Sequence, residues 1–444
     1  MKLIETLKNI WKIEDLRKRL TITFLFILIY RFGCHVVLPG INPADLEAMR
    51  NFTNSGLMQL LDMFSGGAFG QASIFALGIM PYITASIVIQ LMGMVVPSFQ
   101  KMQREGESGR MKLNQYTRYL TVAILLVQAP AYLMNLQYQV NAAGGHAHIS
   151  GLMMIYLSIV LTAGAMLIMW LGEKMTDKGI GNGISIIILV GILARFPGAI
   201  VQEFTSRLNT AQGGLVMFLV EIVILFAVTA GAVMLTQGTR KVPVQYAKRI
   251  VGNKQYGGAR QYIPLKVNAA NVMPIIFAQA LMFIPITLAG FGARQDAAGF
   301  GGWLSRTFGD MNGFWYNVVY FLMIVAFTYF YTAITVRPTQ MAEEMKKNSG
   351  FIPGIKPGKK TAEYLDSIMS RITLPGSIFL GIVAILPAFA RYFGVNQSFA
   401  QFFGGTSLLI TVGVVLDTVQ QIETHLMMHH YDGLMKSGKI KGRR

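Results

Sequence analysis

The chain has 444 residues, of which 53% are hydrophobic and 14% charged, and its formal charge is +18. Soluble domains average about 25% charged residues, so this composition excludes an ordinary water-soluble protein. The apolar residues occur in runs of about twenty, which suits helices that cross a bilayer, whereas barrel strands are shorter and alternate. The sequence therefore predicts an all-α integral membrane protein.

Ten apolar runs predict ten transmembrane helices. They cover residues 20–38, 74–96, 120–140, 153–171 and 184–201 in the first half, and residues 215–235, 272–291, 314–336, 372–393 and 406–419 in the second half. We expect two halves of five helices each, residues 1–201 and 202–444. Five spans per half permit pseudo-symmetric halves of opposite orientation, although the two halves show no clear sequence identity.

Basic residues predict the orientation. Most of the 39 lysine and arginine residues lie in segments that would share one side of the membrane with the N-terminus. The positive-inside rule therefore places both termini in the cytoplasm, in agreement with an even number of spans. The first run is long for a signal peptide and lacks a small-x-small cleavage pattern, so we expect it to be retained. The single cysteine, Cys34, excludes an intrachain disulfide.

Two connecting segments on the predicted cytoplasmic side are unusually long and basic. Residues 236–267 contain seven basic residues and no acidic one, and residues 337–371 contain seven basic and four acidic residues. Loops of this length usually have a binding function. A positive charge of this size favours binding to an acidic protein, anionic lipid or RNA phosphate. The alternative is a charge run that only sets the topology and lies on anionic lipid.

A short glycine-rich stretch precedes the second run. Residues 64–72 are apolar but too few to span, and such a piece is tolerated at membrane depth only inside protein or a water-filled cavity. The alternative is a loop at the outer surface. Gly66, Gly67 and Gly70 lower the cost of backbone rearrangement, and we expect few side chains to anchor the stretch.

The second run itself mixes polar groups into an apolar helix. Ile79 and Ile83 are spaced i, i+4 and share one face, whereas Thr84 and Gln90 bring hydrogen-bonding groups into the span. Ionisable residues in other runs are functional candidates by default. Arg31 and Glu221 are such residues, and neither has a partner in its own run.

The sequence contains no arrangement of residues that indicates catalysis. His425 and His429 are spaced i, i+4, but no HExxH motif is present, so we predict no metal site, no cofactor and no enzyme. A nucleotide-binding motif is also absent, so any energy source must come from a partner. A secondary transporter of a small solute is the alternative function. It is disfavoured because the runs hold no cluster of carboxylates or asparagines for a coupling ion.

The chain resembles the SecY family over residues 16–431. Eight motifs occur in the family's order: MFSGG at 63–67, EGESGR at 105–110, QYTRY at 115–119, MWLGE at 169–173, GIGNGIS at 179–185, PLKVN at 264–268, IPGIKPG at 352–358 and FGGTSLLI at 403–410. The resemblance implies a clam-shell of two five-helix halves in a bacterial inner membrane. It also implies a channel that passes secretory polypeptides across the membrane and releases hydrophobic segments sideways into lipid.

The resemblance implies roles for individual residues. Residues 62–71, which we call the plug segment, would close the pore; the residues assigned to this role are Met63, Phe64, Ser65, Gly66, Gly67 and Ala68. The constriction would be a ring formed by Ile79, Ile83, Ile184, Ile188, Ile276 and Ile410. Branched apolar side chains in such a ring dewet a narrow pore and offer a passing chain no fixed hydrogen bonds. Thr84 and Gln90 would lie at the lateral gate.

The implied partners are SecE, SecG, the ATPase SecA and the ribosome. Charges assigned to partner docking are Arg240, Lys248, Arg249, Lys254 and Lys356. The chain departs from the family in two places, because Lys356 stands where arginine is typical and the tip at residues 252–255 is less basic. Lysine keeps the charge but not the planar fork of arginine, so the contact is expected to be weaker or rearranged.

Overall fold

The computed structural model describes residues 11, 13–41, 62, 65–142, 150–209, 214–246, 249–251, 254–256, 260–270, 272–279, 281–282 and 313–436. Internal contacts divide the chain into two compact units. Unit 1 consists of Met1–Gln202 with Val414–Arg444, and unit 2 of Glu203–Gly413. The chain passes between them twice, within one helix near residue 202 and within another near residue 414.

Unit 1 is built from apolar helices. Its helices are α1 (Glu14–Cys34), α2 (Met80–Val95), α3 (Pro97–Arg104), α4 (Glu107–Ala142), α5 (Gly151–Lys178) and most of α6 (Gly183–Asn209). Val96 has an extended backbone and Pro97 occupies the first turn of α3, so the chain breaks between α2 and α3. The core contains Leu133 of α4 and Leu157 of α5, together with Phe69 and Ala72 from the stretch before α2.

Unit 2 combines long helices with short strands. In chain order it contains α7 (Gly214–Gln237), β1 (Thr239–Tyr246), β2 (Arg249–Val251), β3 (Lys254–Tyr256), β4 (Arg260–Lys266), α8 (Phe314–Thr335), α9 (Pro338–Lys347), β5 (Gly350–Phe351), α10 (Lys359–Tyr392), α11 (Gln397–Ala400) and the start of α12 (Gly405–Lys436). Strand β1 pairs antiparallel with β4 on one side and β5 on the other, and β2 pairs with β3. These strands lie in the two basic segments, where the sequence predicts only loops.

Seven described helical segments are long and apolar enough to cross a membrane. They are Glu107–Tyr138, Gly151–Lys178, Gly183–Leu208, Gly214–Gln237, Phe314–Lys347, Lys359–Tyr392 and Gly405–Met428, and the bent pair α2 and α3 would make an eighth. The prediction of an all-α membrane protein is confirmed. Half of the run at 272–291 lies outside the described residues, so the number ten stays a prediction.

Candidate functional site

The plug segment is folded around one carboxylate. The Asp62 carbonyl accepts hydrogen bonds from the Gly67 N–H at 2.8 Å and the Ser65 hydroxyl at 3.1 Å, and Asp62 Oδ1 accepts one from the Gly70 N–H at 2.6 Å. Residues 65–70 form consecutive turns and are buried. Met63 and Phe64 lie outside the described residues. The described part of the plug segment is therefore a compact, internally bonded body.

Side chains from three helices hold the plug segment. Tyr30 and Arg31 of α1 donate to the carbonyls of Ser65 at 3.1 Å and Gly66 at 2.9 Å, and Tyr132 of α4 donates to the Phe69 carbonyl at 2.9 Å. Arg195 of α6 forms an ion pair with Asp62. The expectation that few side chains anchor the segment is wrong. The sequence could not show these anchors because each partner comes from a distant helix.

Glycine in the plug segment serves close packing as well as backbone freedom. Gly66 has φ +67°, and a Cβ there would lie 3.0 Å from the Gly191 Cα atom of α6 and 3.1 Å from Arg31 Nη1. Gly67 has φ +93°. Residues that carry a side chain rarely adopt these φ values, so both positions favour glycine. The segment packs closely against α1 and α6 and leaves no room for a larger residue at position 66.

The chain between the plug segment and α2 is not helical. Ser73 forms an isolated bridge with Val37, and the Ile74 N–H donates to the Val36 carbonyl at 2.9 Å. Helix α2 begins only at Met80, so the start of the predicted span at residue 74 is wrong by six residues. A positive φ of +55° at Gly78 interrupts the path into the helix.

Four of the six ring isoleucines lie in unit 1. Ile79 precedes the first turn of α2, and its carbonyl accepts the Ile83 N–H at 3.1 Å, so their i, i+4 relation is retained. On α6, Ile188 is buried, whereas Ile184 is half-buried and packs against Gly172 of α5.

The other two, Ile276 and Ile410, belong to unit 2. Ile276 is half-buried in the helical residues 273–279, and Ile410 is buried in the second turn of α12. Whether the six residues form one ring stays a prediction.

The two lateral-gate residues bond within their own helix. Thr84 donates to the Met80 carbonyl at 3.0 Å, and the Gln90 amide donates to the Ser86 hydroxyl at 3.3 Å. A hydroxyl bonded to the carbonyl one turn earlier, as in Thr84, can face an apolar medium at little cost. Their assignment to a gate stays a prediction.

The two basic segments fold into one body, which we call the basic sheet: β1, β4 and β5 with the turn at 352–358. Strand β1 exposes Arg240 and buries Val242 and Val244. These valines pack with residues of both segments; the shared core holds Val242, Val244, Leu265, Met345, Ile352, Leu365 and Met369. The two segments therefore present their charges from one shared scaffold.

The turn that carries Lys356 has a fixed shape. Gly354 and Gly358 have φ of +84° and +104°, and the Thr361 hydroxyl donates to the Lys356 carbonyl at 3.0 Å. Buried Ile352 fixes the start of the turn in the core, and Lys356 itself is exposed. Of the other docking residues, Arg249 and Lys254 lie on the β2–β3 hairpin, where only the backbone is described, and Lys248 lies outside the described residues.

Glu221, which lacked a partner in its own run, belongs to a buried ion cluster in unit 2. Arg207 of α6 donates to Glu203 Oε1 at 2.8 Å and to Glu221 Oε1 of α7 at 2.6 Å. The second carboxylate oxygen of Glu203 accepts the Asn396 N–H at 2.8 Å, before α11. The i, i+4 spacing of Glu203 and Arg207 is the one signal in the sequence that could have revealed the cluster.

Metal binding finds no support in the described part of the chain. No group of three or more histidine, cysteine, aspartate or glutamate side chains comes together there.

The long apolar helices, the buried glycine-rich segment and the basic sheet define a multi-pass membrane protein of the all-α class. The family model SecY matches residues 73–419, and the protein translocase subunit SecY of Streptomyces scabiei is 42% identical over 438 residues, covering 96% of this chain and 98% of the relative. The chain belongs to the SecY family. That family consists of channel subunits, not enzymes.

Two solved structures have the same fold. One, described as showing that the plug domain of the SecY protein stabilises the closed state of the translocation channel and maintains a membrane seal, has a TM-score of 0.62 at 20% identity over 92% of both chains. The other is Sec61 in the canine ribosome-channel complex from the endoplasmic reticulum, with a TM-score of 0.58 at 20% identity over 92% of both chains. Both support the fold of a protein-conducting channel.

Proposed function

We propose that this chain is the pore-forming subunit of a protein translocase, which passes secretory polypeptides across a bacterial inner membrane and releases hydrophobic segments sideways into lipid. The observation that carries the proposal is the 42% identity to a translocase subunit over nearly the whole of both chains. The buried plug segment supports it, because a segment held by three helices is suited to sealing a pore. Nothing in the described residues favours the small-solute transporter.

The pore is closed at a constriction of six isoleucines with the plug segment beside it. Support comes from the burial of Ile79, Ile188 and Ile410 and from the positions of Ile79 and Ile83 at the start of α2, the first helix after the plug segment in the chain. The lateral gate opens beside α2, whose polar residues Thr84 and Gln90 each make a hydrogen bond within the helix.

The basic sheet docks the partners that deliver or push the polypeptide. Its fixed turn at Lys356 and its exposed Arg240 offer cations on a rigid scaffold, which suits ribosomal RNA phosphate or the acidic surface of an ATPase such as SecA. Two proteins of the same fold, canine Sec61 and the yeast Ssh1 complex, have been solved in complex with ribosomes. Small membrane subunits of the SecE and SecG type complete the complex, and the basic sheet and both termini lie in the cytoplasm.

Reconstitution tests this function. The chain is co-expressed with SecE and SecG, purified, and placed in liposomes with SecA, ATP and a secretory precursor. We expect the precursor to become protected from external protease only when ATP is present. The control is the same liposome with the chain omitted. Equal protection with and without the chain, or uptake of small solutes in place of the precursor, would overturn the proposal.

A further inference from the structure

Two arginines from different helices meet the plug segment from outside. Arg31 of α1 donates to the Gly66 carbonyl, which is a neutral acceptor. Arg195 of α6 instead meets the carboxylate of Asp62, and a Cβ at Gly67 would lie 3.4 Å from its guanidinium. The plug segment is thus joined to α6 by an ion pair and to α1 by hydrogen bonds to its backbone.

The two oxygens of the Asp62 carboxylate have different partners. Oδ1 accepts the Gly70 N–H and so stabilises the turns of the plug segment itself, whereas Oδ2 pairs with Arg195 on the neighbouring helix. The Asp62 carbonyl adds the bonds to Gly67 and Ser65. Separation of Asp62 from Arg195 therefore leaves the internal bonds of the segment in place, and the segment can leave α6 as one body.

The surroundings of the pair favour a contact that can be released. The Asp62 side chain is 3% exposed, but the Arg195 side chain is 36% exposed, so water reaches one side of the pair. A charge buried without a partner is costly, and this favours the paired state as long as the segment stays in place. Water at the guanidinium lowers the cost of separation, because Arg195 remains solvated when the segment departs.

We propose that Asp62 and Arg195 form a latch that holds the plug segment against α6 and sets how often the idle channel opens. They are positioning residues: neither needs to touch the translocating polypeptide. The latch deepens the proposed channel function and rests on it. Loss of either charge shifts the plug segment from the closed toward the displaced position without changing the constriction.

The test measures ion leak through complexes of the full chain with its small subunits in planar bilayers. The Asp62→Asn substitution keeps an oxygen for the Gly70 N–H and removes only the charge, and Arg195→Gln removes the other charge. We expect each to raise the open probability of the idle channel about tenfold. The double variant should leak no more than either single variant, because the two residues act as one unit.

Conservative and control variants separate a latch from a general structural role. Arg195→Lys keeps the charge and should restore most of the seal, and the unfolding temperature of Asp62→Asn should stay near that of the unsubstituted chain. The matched control is Arg118→Gln, which breaks an ion pair to Glu173 between α4 and α5 in the same unit and should leave the leak unchanged.

A deletion distinguishes failure of the latch from failure of the channel function. Removal of residues 62–71 should raise the leak strongly if the chain forms a pore sealed by this segment. If the deletion leaks while Asp62→Asn and Arg195→Gln seal normally, the latch is wrong and the channel function stands. If the deletion does not leak either, the sealing role of the plug segment is itself refuted.

Discussion

Gly66 lies at a crowded point of the plug segment, where a positive φ coincides with close contact to Gly191 and Arg31. A Gly66→Ala substitution would add backbone strain of about 1–2 kcal/mol and a steric clash. We expect it to destabilise the closed position and to raise the leak of the idle channel roughly tenfold in bilayer recordings.

Gly106 provides the control for this substitution. It has φ +76°, and a Cβ at this position would meet no atom of the described residues within 4 Å, so Gly106→Ala carries comparable backbone strain away from the plug segment. It should leave the leak unchanged. An equal leak from both alanine variants would show that strain in general, and not the packing at Gly66, opens the channel.

Lys356 lies at the tip of a turn whose backbone is fixed by two glycines and a buried isoleucine. Lys356→Glu should abolish SecA-driven translocation of a secreted precursor, because it reverses the charge on a rigid support. Lys356→Arg should preserve or strengthen it, because the guanidinium adds a planar fork of donors. The assay is precursor protection in liposomes with limiting SecA.

Lys178, an exposed lysine at the end of α5, is the control for Lys356. Lys178→Glu makes the same charge change outside the basic sheet and should translocate normally. Normal translocation by Lys356→Glu would remove the docking role from that residue and leave its segment as a charge run that sets topology.

Individual contacts of the charged residues could not be predicted from the sequence. Arg31 and Glu221 stand out because a charge in an apolar run is unusual, yet their partners are a carbonyl on the plug segment and an arginine on a preceding helix. Asp62 lies outside the apolar runs and gives no such signal, and Arg195, although it lies in the run at 184–201, has a partner that only the fold brings near. Composition and periodicity reveal which residues are out of place, but tertiary packing decides what they contact.

At the scale of elements, the buried ion cluster ties the end of α6 to α7 and to the turn before α11 in unit 2. An Arg207→Met substitution would leave the carboxylates of Glu203 and Glu221 buried without a cation. We expect a loss of about 3–5 kcal/mol, because removal of one partner from a buried pair exposes the full cost of desolvation. Thermal unfolding of the purified complex in detergent measures this loss.

The Arg118→Met substitution is the matched control for the ion cluster. Its pair with Glu173 also joins two helices, but the arginine side chain is 47% exposed, so its removal should cost less than about 1 kcal/mol. Combining Arg207→Met with Glu203→Gln and Glu221→Gln should recover much of the stability. Equal small losses from Arg207→Met and Arg118→Met would contradict the assignment of a buried cluster.

Helices were easier to predict than strands. The apolar run at 215–235 coincides closely with α7, because nearly every residue there is apolar and no glycine or proline cluster interrupts it. The strands β1 and β4 were missed because charge is the dominant signal of their segment. Val242 and Val244 are apolar residues spaced i, i+2, and both are buried in β1. This period-two spacing in the sequence could have indicated a strand.

At the scale of the whole molecule, the six ring isoleucines should act together. Replacing Ile79, Ile83, Ile188 and Ile410 by serine should make the constriction wettable and raise ion conductance of the idle channel, because polar side chains remove the dewetted barrier. The measurement is conductance in planar bilayers, with the plug segment intact.

The control for the ring replaces four isoleucines whose side chains are exposed on the helix surfaces, namely Ile155, Ile159, Ile222 and Ile382. Their substitution by serine alters the same number of side chains outside the ring and should leave conductance low. If the ring variant conducts no better than this control, the six residues do not form the seal.

The basic sheet is connected directly to three of the long apolar helices. Its strands connect the end of α7, the end of α8 through α9, and the start of α10. Its base is closed by a hydrogen bond from Val267 to Gly238, and Val267 packs against Gly376 of α10. If a partner docks on the Lys356 turn, as proposed above, a force that it applies there would therefore reach α7, α8 and α10 through one hydrogen-bonded sheet.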